Sequence, residues 1–135
     1  MNGRIGFIVC CILFFASCSS KKKLPNTDIE VAKTFVKYVL ENDFKEASAL
    51  VAKDAANDVF LKQLEKSQQE KWSQDEAVQY KNADVIIFEV SNVNDTISII
   101  NYANSYKVQE KNKVKVVKKN GQWMVDLKYT FSGNL

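Results

Sequence analysis

The stretch of sequence that decides the fold is residues 114–127, VKVVKKNGQWMVDL. Asn120 and Gly121 are the pair that a two-residue type I′ turn favours, because both turn positions require a positive φ angle. With these two residues as the loop, Val116 is expected directly opposite Val125 in an antiparallel hairpin. The stretch therefore predicts two paired strands in a defined register.

The hairpin register sorts the side chains onto two faces of a sheet. On one face Lys115 is expected opposite Asp126, an opposite-charge pair that stabilises a hairpin. On the other face Val114 is expected opposite Leu127. This second face is predicted to be the core side, and its residues on the returning strand are Trp123, Val125, Leu127, Tyr129 and Phe131.

Two more strands are predicted upstream, because hydrophobicity alternates with a period of two over residues 85–90 and 96–102, with a turn at Asn94 and Asp95. By the same alternation, the face away from the helices is expected to carry Val85, Ile87, Ile100, Tyr102, Val117 and Met124, mixed with Glu89, Lys115 and Asp126. A contiguous apolar patch of this kind marks an interface. We therefore expect a homodimer or an envelope protein to bind there, unless residues 65–80 cover it.

The residues before the strands have the period of helices. A capping-box pattern begins at Thr27, and apolar residues follow at helical spacing over residues 28–41. Asn42 is expected to end this helix in the left-handed conformation, and Asp43 to cap a second, shorter helix to about residue 52.

A third helix is predicted to start near Asn57, with Phe60, Leu61 and Leu64 facing inward. Residues 65–79 are polar apart from Trp72, so they form either one long exposed helix or two helices with a break around Trp72, the second capped by Ser73. Helices followed by antiparallel strands predict an α+β fold, in which the helices pack on one face of a curved sheet of about four strands.

The first 18 residues have the layout of an export signal. Arg4 precedes an apolar run over residues 5–15, and the run closes with Phe15-Ala16-Ser17-Cys18. That ending resembles the lipobox of bacterial lipoproteins, in which the cysteine is lipidated and the signal is removed before it. The expected organisation is a signal peptide (1–17), a lipidated flexible tether (18–26) and a single α+β domain (27–135).

Two alternatives to a lipoprotein remain, plain secretion without lipid and an uncleaved anchor. The apolar run is shorter than the roughly 17–25 residues that a transmembrane helix needs. The tether carries Lys21, Lys22 and Lys23 rather than an acidic run, and Ser19 rather than aspartate follows Cys18. In lipoproteins these features are typical of the periplasmic face of the outer membrane, which is the expected location.

Composition excludes several classes of function. The chain has no histidine, which excludes Ser-His-Asp and Cys-His catalysis and the usual catalytic zinc sites. Without Arg4, the mature chain has 18 lysines against 16 acids and no arginine, a balance unsuited to nucleic acid. Cys10 and Cys11 lie in the signal, so a lipidated Cys18 leaves no internal disulfide.

Two segments resemble a known family. Residues 32–44, AKTFVKYVLENDF, resemble the opening helix and acidic turn of nuclear-transport-factor-two-like (NTF2-like) domains, and residues 116–126, VVKKNGQWMVD, resemble their terminal hairpin. The similarity covers about residues 28–131, and such domains occur in small bacterial lipoproteins of unknown function, similar to lumazine-binding-like lipoprotein domains. The resemblance implies a cystatin-like cone, in which the sheet curls around the first helix and leaves an apolar pocket. It implies no activity, because the fold hosts isomerases, dehydratases, adaptors and secretion-system proteins.

The expected function is a membrane-anchored, non-catalytic module that binds a small apolar ligand or an envelope partner. Trp72, Tyr102 and Trp123 are the predicted ligand-binding residues, because aromatic rings stack on ligands and carry a polar group at one end. For Trp123, which lies in an alternating strand, the alternative is a place in the core. The alternatives are an isomerase- or hydrolase-like enzyme of the same fold and a purely structural dimeric envelope protein.

No catalytic residue, cofactor or metal site is predicted. Asp54 and Asp58 lie four residues apart, but a helix start explains them better than a metal site does. Isomerases of this fold use an acid in a dry pocket. Glu89 alternates outward and Asp126 is expected to pair with Lys115, so neither acid suits that role.

Overall fold

The computed structural model describes residues 23–131, which form a helical layer packed on one antiparallel sheet. In chain order the elements are α1 (Asp28–Leu40), α2 (Phe44–Ala49), α3 (Ala55–Lys71), α4 (Gln74–Asn82), β1 (Val85–Asn94), β2 (Ile97–Asn104), β3 (Asn112–Lys119), β4 (Gln122–Val125) and α5 (Leu127–Phe131). Helix α1 contacts all four strands. This arrangement confirms the predicted α+β fold class.

The first helix begins and ends as predicted. The Thr27 hydroxyl oxygen accepts a hydrogen bond from the Glu30 N–H at 3.1 Å, and the Glu30 carboxylate accepts one from the Thr27 N–H. These two bonds complete the capping box. After the helix, Asn42 has a φ angle of 58°. The carboxylate of Asp43 then caps α2.

Helix α2 ends at Ala49, which is earlier than predicted. The chain beyond it pairs with the last strand: the Leu50 carbonyl accepts from the Val125 N–H at 2.8 Å, and the Ala52 N–H donates to the Val125 carbonyl at 2.9 Å. Backbone groups that bond to a strand are not available to continue a helix. The pairing therefore sets the end of α2 and fastens the helical layer to β4.

Helices α3 and α4 correspond to one of the two alternatives for residues 65–79, the one with a break. Trp72 has extended backbone, and Ser73 caps α4 in a second capping box. The predicted start of α3 near Asn57 lies inside the helix, because Asp54 is the capping residue. Its carboxylate accepts a hydrogen bond from the Asn57 N–H at 2.9 Å.

The four strands follow one another in the order β1-β2-β3-β4, all antiparallel. The last hairpin has the predicted register: Asn120 and Gly121 form the turn with φ angles of 50° and 78°, and Val116 pairs with Val125. The Lys115 ammonium lies 3.5 Å from the Asp126 carboxylate, as expected for residues that face each other.

The prediction that residues 127–131 continue the last strand is wrong, because they form α5. The Leu127 N–H donates to the side-chain oxygen of Asn57 at 2.8 Å instead of pairing across the hairpin. Asn57 is fully buried, and its side-chain N–H donates to Asp54, which also binds the ammonium of Lys128 at 3.0 Å. The hydrogen bonds from the start of α3 thereby replace strand pairing for residues 127–131, and these residues form a helix instead of continuing β4.

The sheet has an inner face, which meets the helices, and an outer face, and the predicted division between them is partly wrong. Four residues predicted on the outer face lie on the inner one: Val85, Ile87, Ile100 and Tyr102. The cause in β1 is an irregularity of the pairing between Ile87 and Glu89, which changes the alternation so that Glu89 still points outward. In β2, the pairing of Ile100 with the buried Val114 fixes the face.

The outer face as observed carries a different apolar set. Its apolar residues are Ile86, Phe88, Ile97, Ile99, Val117 and Met124, and they lie among Glu89, Lys115 and Asp126. The turn between β1 and β2 is formed by Asp95 and Thr96, one residue later than predicted, because Asn94 still pairs with Ile97.

The core lies between α1 and the inner face. Its largest fully buried apolar side chains are Val31, Val51, Ile100, Val116, Val125 and Leu127. Within residues 23–131, no helix is both long enough and apolar enough to cross a membrane. The predicted signal peptide (1–17), Cys18 and the first part of the tether lie outside the described residues.

Candidate functional site

A cavity of about 210 Å³ lies between α1, α3 and the inner face of the sheet, and we call it the site cavity. Its walls combine aliphatic, aromatic and uncharged polar side chains. The lining residues are Val36, Val39, Leu40, Leu64, Ser67, Gln68, Lys71, Trp72, Tyr80, Tyr102, Asn104, Glu110 and Asn112. The two charged residues among them, Lys71 and Glu110, are exposed and lie at its edge.

Trp72 is placed at the site cavity by the break between α3 and α4. Its indole stacks on the ring of Tyr80, with 3.9 Å between the centroids and 15° between the planes. Tyr80 in turn meets Tyr106 edge to face at 5.0 Å. Stacked and edge-to-face contacts are the favoured geometries of aromatic pairs. The half-buried Trp72 indole thus packs against Tyr80, and Tyr80 packs against Tyr106.

Lys107, in the loop after β2, packs against the aromatic cluster of Trp72, Tyr80 and Tyr106. Its Nζ lies 5.3 Å from the centroid of the Tyr80 ring, 3.5 Å from the Glu76 carboxylate and 3.9 Å from the Glu110 carboxylate. The Tyr80 hydroxyl, followed by the two carboxylates, raises the pKa of Lys107 above its ordinary value. A permanently charged lysine therefore ties the loop to α4 beside the site cavity.

Tyr102 enters the site cavity from the centre of the sheet. It lies in β2, opposite Ile87 on one side and Asn112 on the other. Burial raises the pKa of its hydroxyl to about 12, so the group is a neutral phenol at physiological pH. No hydrogen bond joins that hydroxyl to another residue of the described part of the chain.

The structure brings two of the three predicted ligand-binding residues together. Trp72 and Tyr102 line the same cavity. Trp123 lies elsewhere, on the last strand, where it faces Lys118 across the hairpin with the ammonium 5.7 Å from its ring. Trp123 packs against the core, so it stabilises the fold and does not contribute to the site cavity.

Gln68 and Asn104 are residues of the site that were not predicted. Both are buried, with exposed fractions of 6% and 5%. Gln68 has a signal in the sequence: it continues the inward stripe of Leu61 and Leu64 at helical spacing, and Trp72 follows one turn later. Asn104 has none, because its burial depends on the pairing of β1 with β2.

A second cavity, of about 260 Å³, lies on the other side of Trp72, and we call it the side cavity. It is bounded by the ends of α1 and α3 and by α4. Leu40, Gln68 and Trp72 line both cavities. Trp72 is therefore a wall between two adjoining spaces.

A groove of about 400 Å³ lies along the tether and is lined partly by residues 23–25. One of its acids already has partners: the Glu30 carboxylate accepts from the N–H groups of Asn26 and Thr27, which lower its pKa. A carboxylate that already accepts two hydrogen bonds from the protein is less available to a ligand than the unpartnered amide atoms of the site cavity.

Three of the acids considered for catalysis or metal binding, Asp54, Glu89 and Asp126, have structural partners. Asp54 caps α3, and the Asn57 N–H followed by Lys128 lowers its pKa to about 2. The Glu89 carboxylate accepts from the side-chain N–H of Asn101 at 2.8 Å on the outer face. Within residues 23–131, no group of three metal-binding side chains comes together.

Comparisons with known proteins bear on the fold. No protein-family model and no curated protein sequence matches this chain. The crystal structure of a Campylobacter jejuni protein, provisionally named an NTF2-like transpeptidase, matches with a TM-score of 0.54 at 20% identity, over 72% of this chain and 94% of that one. The fold is NTF2-like. The site cavity lies between the helices and the inner face of the sheet in this fold.

Proposed function

We propose that this protein is a ligand-binding module of the bacterial cell envelope, anchored through a lipidated Cys18. The observation that carries the proposal is the site cavity, where Trp72 and Tyr102 meet two buried amide side chains, Gln68 and Asn104. Convergent polar groups on an otherwise apolar wall are typical of small-molecule sites. A purely structural domain would be expected to fill this space with its own side chains.

Binding is favoured over catalysis by the content of the site cavity. A transpeptidase or hydrolase needs a nucleophile that a neighbouring base activates. Ser67 and Lys71 both line the cavity one helical turn apart, but no hydrogen bond joins their side chains. An enzyme of this fold remains the second candidate, and loss of a measured turnover in Ser67→Ala with intact ligand binding would support it.

The envelope location is supported by the lipobox-like ending at Cys18 and by the basic residues after it. We also propose that the chain is similar to lumazine-binding-like lipoproteins. Labelled palmitate should be incorporated into the wild-type chain in a bacterial host and not into Cys18→Ala. Equal labelling of both chains would contradict the anchor without touching the ligand site.

The ligand-binding proposal is tested through the two tryptophans, which are the only ones in the chain. In Trp123→Phe the remaining fluorescence comes from Trp72, and in Trp72→Phe it comes from Trp123. Organic extracts of the host membrane should shift the emission of the first variant and leave the second unchanged. Equal responses, or none in either variant, would contradict binding in the site cavity.

We also propose that the outer face binds a second copy of the chain. Its apolar residues include Ile86 and Phe88, which are 38% and 44% exposed, and the Lys111 ammonium lies 5.0 Å from the Phe88 ring. Apolar side chains exposed on adjoining strands are typical of an interface. The face is opposite to the site cavity, so pairing would leave the ligand site accessible.

A further inference from the structure

Two buried amide side chains in the site cavity have orientations that their backbone partners fix. The Gln68 Nε2 donates to the Val39 carbonyl at 2.9 Å, and a carbonyl accepts only. The Asn104 Oδ1 accepts from the Lys107 N–H at 2.8 Å, and an N–H donates only. The oxygen and nitrogen ends of both amides are thereby assigned without ambiguity.

The opposite end of each amide has no hydrogen-bond partner within residues 23–131. Gln68 Oε1 is left as an acceptor and Asn104 Nδ2 as a donor, although both side chains are more than nine-tenths buried. A buried polar atom without a partner is unfavourable, and such atoms in proteins bind a ligand or an ordered water. The hydroxyl of Tyr102 adds a third group that can donate or accept.

The wall around these groups has no buried charge. Lys71 and Glu110, the two ionic lining residues, are exposed at the edge of the cavity. The high pKa of Tyr102 keeps its hydroxyl neutral at physiological pH. A charged ligand would lose its hydration without meeting an opposite charge, which is costly.

We propose that the site cavity binds the secondary amide of an uncharged N-acyl compound, with Gln68 Oε1 accepting from its N–H and Asn104 Nδ2 donating to its carbonyl. A secondary amide offers one donor and one acceptor on separate atoms of a rigid plane, so it can serve both partners at once. The aliphatic wall and Trp72 then pack against the rest of the ligand. This inference rests on the proposed function, because it names the ligand class of the same site.

An N-acetylated amino sugar and a peptide both contain this amide, and two sets of probes distinguish them. The sugar set is N-acetylglucosamine, glucosamine and glucose, which carry an amide, a charged amine and a hydroxyl at the same position. The peptide set is alanine with both ends capped as amides, compared with free alanine. Binding to the full-length chain in detergent is followed by the side-chain amide NMR signals of Gln68 and Asn104.

We expect at least one amide-bearing probe to shift both side-chain signals and to bind at least tenfold more tightly than its amide-free or charged counterpart. Asn104→Asp keeps the acceptor for the Lys107 N–H and exchanges the free donor for an acceptor. Asn104→Asp should weaken the binding of that probe at least tenfold. The exposed Gln63→Glu, which adds the same charge on α3 and away from the site cavity, should leave that binding unchanged.

Two outcomes would overturn the inference. Equal affinity for glucose and N-acetylglucosamine, or for free and capped alanine, would show that the amide is not recognised, and the ligand-binding proposal would stand. Binding of an amide-free apolar probe such as indole in the site cavity, with no binding of any amide, would also overturn the amide inference and leave the ligand-binding proposal standing. If neither the amides nor indole bind, the proposed function fails together with the inference.

Discussion

The Trp72 indole lies flat on the Tyr80 ring, at 3.9 Å between centroids, although the two residues are eight positions apart in the chain. The extended backbone of Trp72 ends α3, and the capping box of Ser73 starts α4, which contacts α1; this change of direction brings the two rings together. The contact therefore joins the end of α3 to α4, two helices whose other residues are mostly polar. It also forms the wall between the site cavity and the side cavity.

Trp72→Ala should lower the free energy of unfolding by about 2–3 kcal/mol, because it removes a partly buried indole and its stacked contact. Trp72→Phe should restore most of this loss. Both quantities can be measured by urea denaturation followed by circular dichroism. An unchanged denaturation midpoint in Trp72→Ala would show that the stack does not form in solution.

Val125→Ala should cost about 2–3 kcal/mol, because Val125 is fully buried in the core and the substitution leaves a cavity. Lys115→Ala, on the opposite face, should cost less than about 1 kcal/mol, since its ion pair with Asp126 is partly exposed. Chemical denaturation of the two variants compares these values. Equal costs would mean that the two faces of the last hairpin are exchanged.

Acid should destabilise the protein through Asp54. Its pKa is lowered from 3.8 to about 2 in the folded chain, so the folded state favours the carboxylate and the unfolded state binds the proton first. The contribution is complete above pH 4 and is lost as the pH falls towards 2. Glu30 and Glu76, whose pKa values are also lowered by capping N–H groups, change stability in the same direction.

The matched variant for this effect is Asp54→Asn, which keeps a cap for α3 but does not titrate. Its stability should depend less on pH between 4 and 2 than that of the wild-type chain, as measured by thermal unfolding across that range. The same slope in both chains would assign acid sensitivity to other carboxylates.

Alkali should destabilise the fold through Tyr102. Burial raises the pKa of its hydroxyl from 10.0 to about 12, so the unfolded chain loses this proton at a lower pH than the folded one. The stabilising contribution is complete below pH 10 and disappears as the pH rises to 12. A titration followed by tyrosinate absorbance should contain a late component that Tyr102→Phe removes; a late component that persists in this variant would belong to another tyrosine.

Pairing through the outer face should depend on Ile99, which lies there opposite Lys115. Sedimentation of the full-length chain in detergent, with the detergent mass subtracted, should give a dimer for the wild type and a monomer for Ile99→Lys. Lys113→Glu, on the same face, is the control for a change of charge alone. A monomeric wild type at high concentration would contradict the proposed interface.

Most of the fold could be predicted from short sequence signals. The turn at Asn120 and Gly121 fixed one hairpin, and the capping residues Thr27, Asp43 and Ser73 located three helix starts, because each requirement is met within a few residues of chain. The long-range part was less accessible. An irregularity of the strand pairing between Ile87 and Glu89 places Val85 and Ile87 on the inner face. The alternation of hydrophobicity in the sequence does not predict this irregularity.

The site was predictable only where a residue is unusual in its surroundings. Trp72 stands alone in a polar stretch, so it was selected, and Tyr102 was selected as an aromatic residue of the sheet. Trp123 was selected on the same grounds and belongs to the core. Gln68 and Asn104 were not selected, because what makes them notable is burial, and burial of an amide depends on the packing of distant elements.

Two polar contacts, one buried and one partly buried, join α1 and α3 to later parts of the chain, and each joins residues 70 positions apart. Ser98 in β2 donates to the Asp28 carboxylate at the start of α1, and the Leu127 N–H donates to Asn57 near the start of α3. The first contact can form only after residue 98 has been synthesised, and the second only after residue 127. During synthesis the apolar faces of the helices therefore stay uncovered until the strands that follow have been made. A chain cut after residue 110 should keep its helical propensity yet remain loosely packed and prone to aggregation.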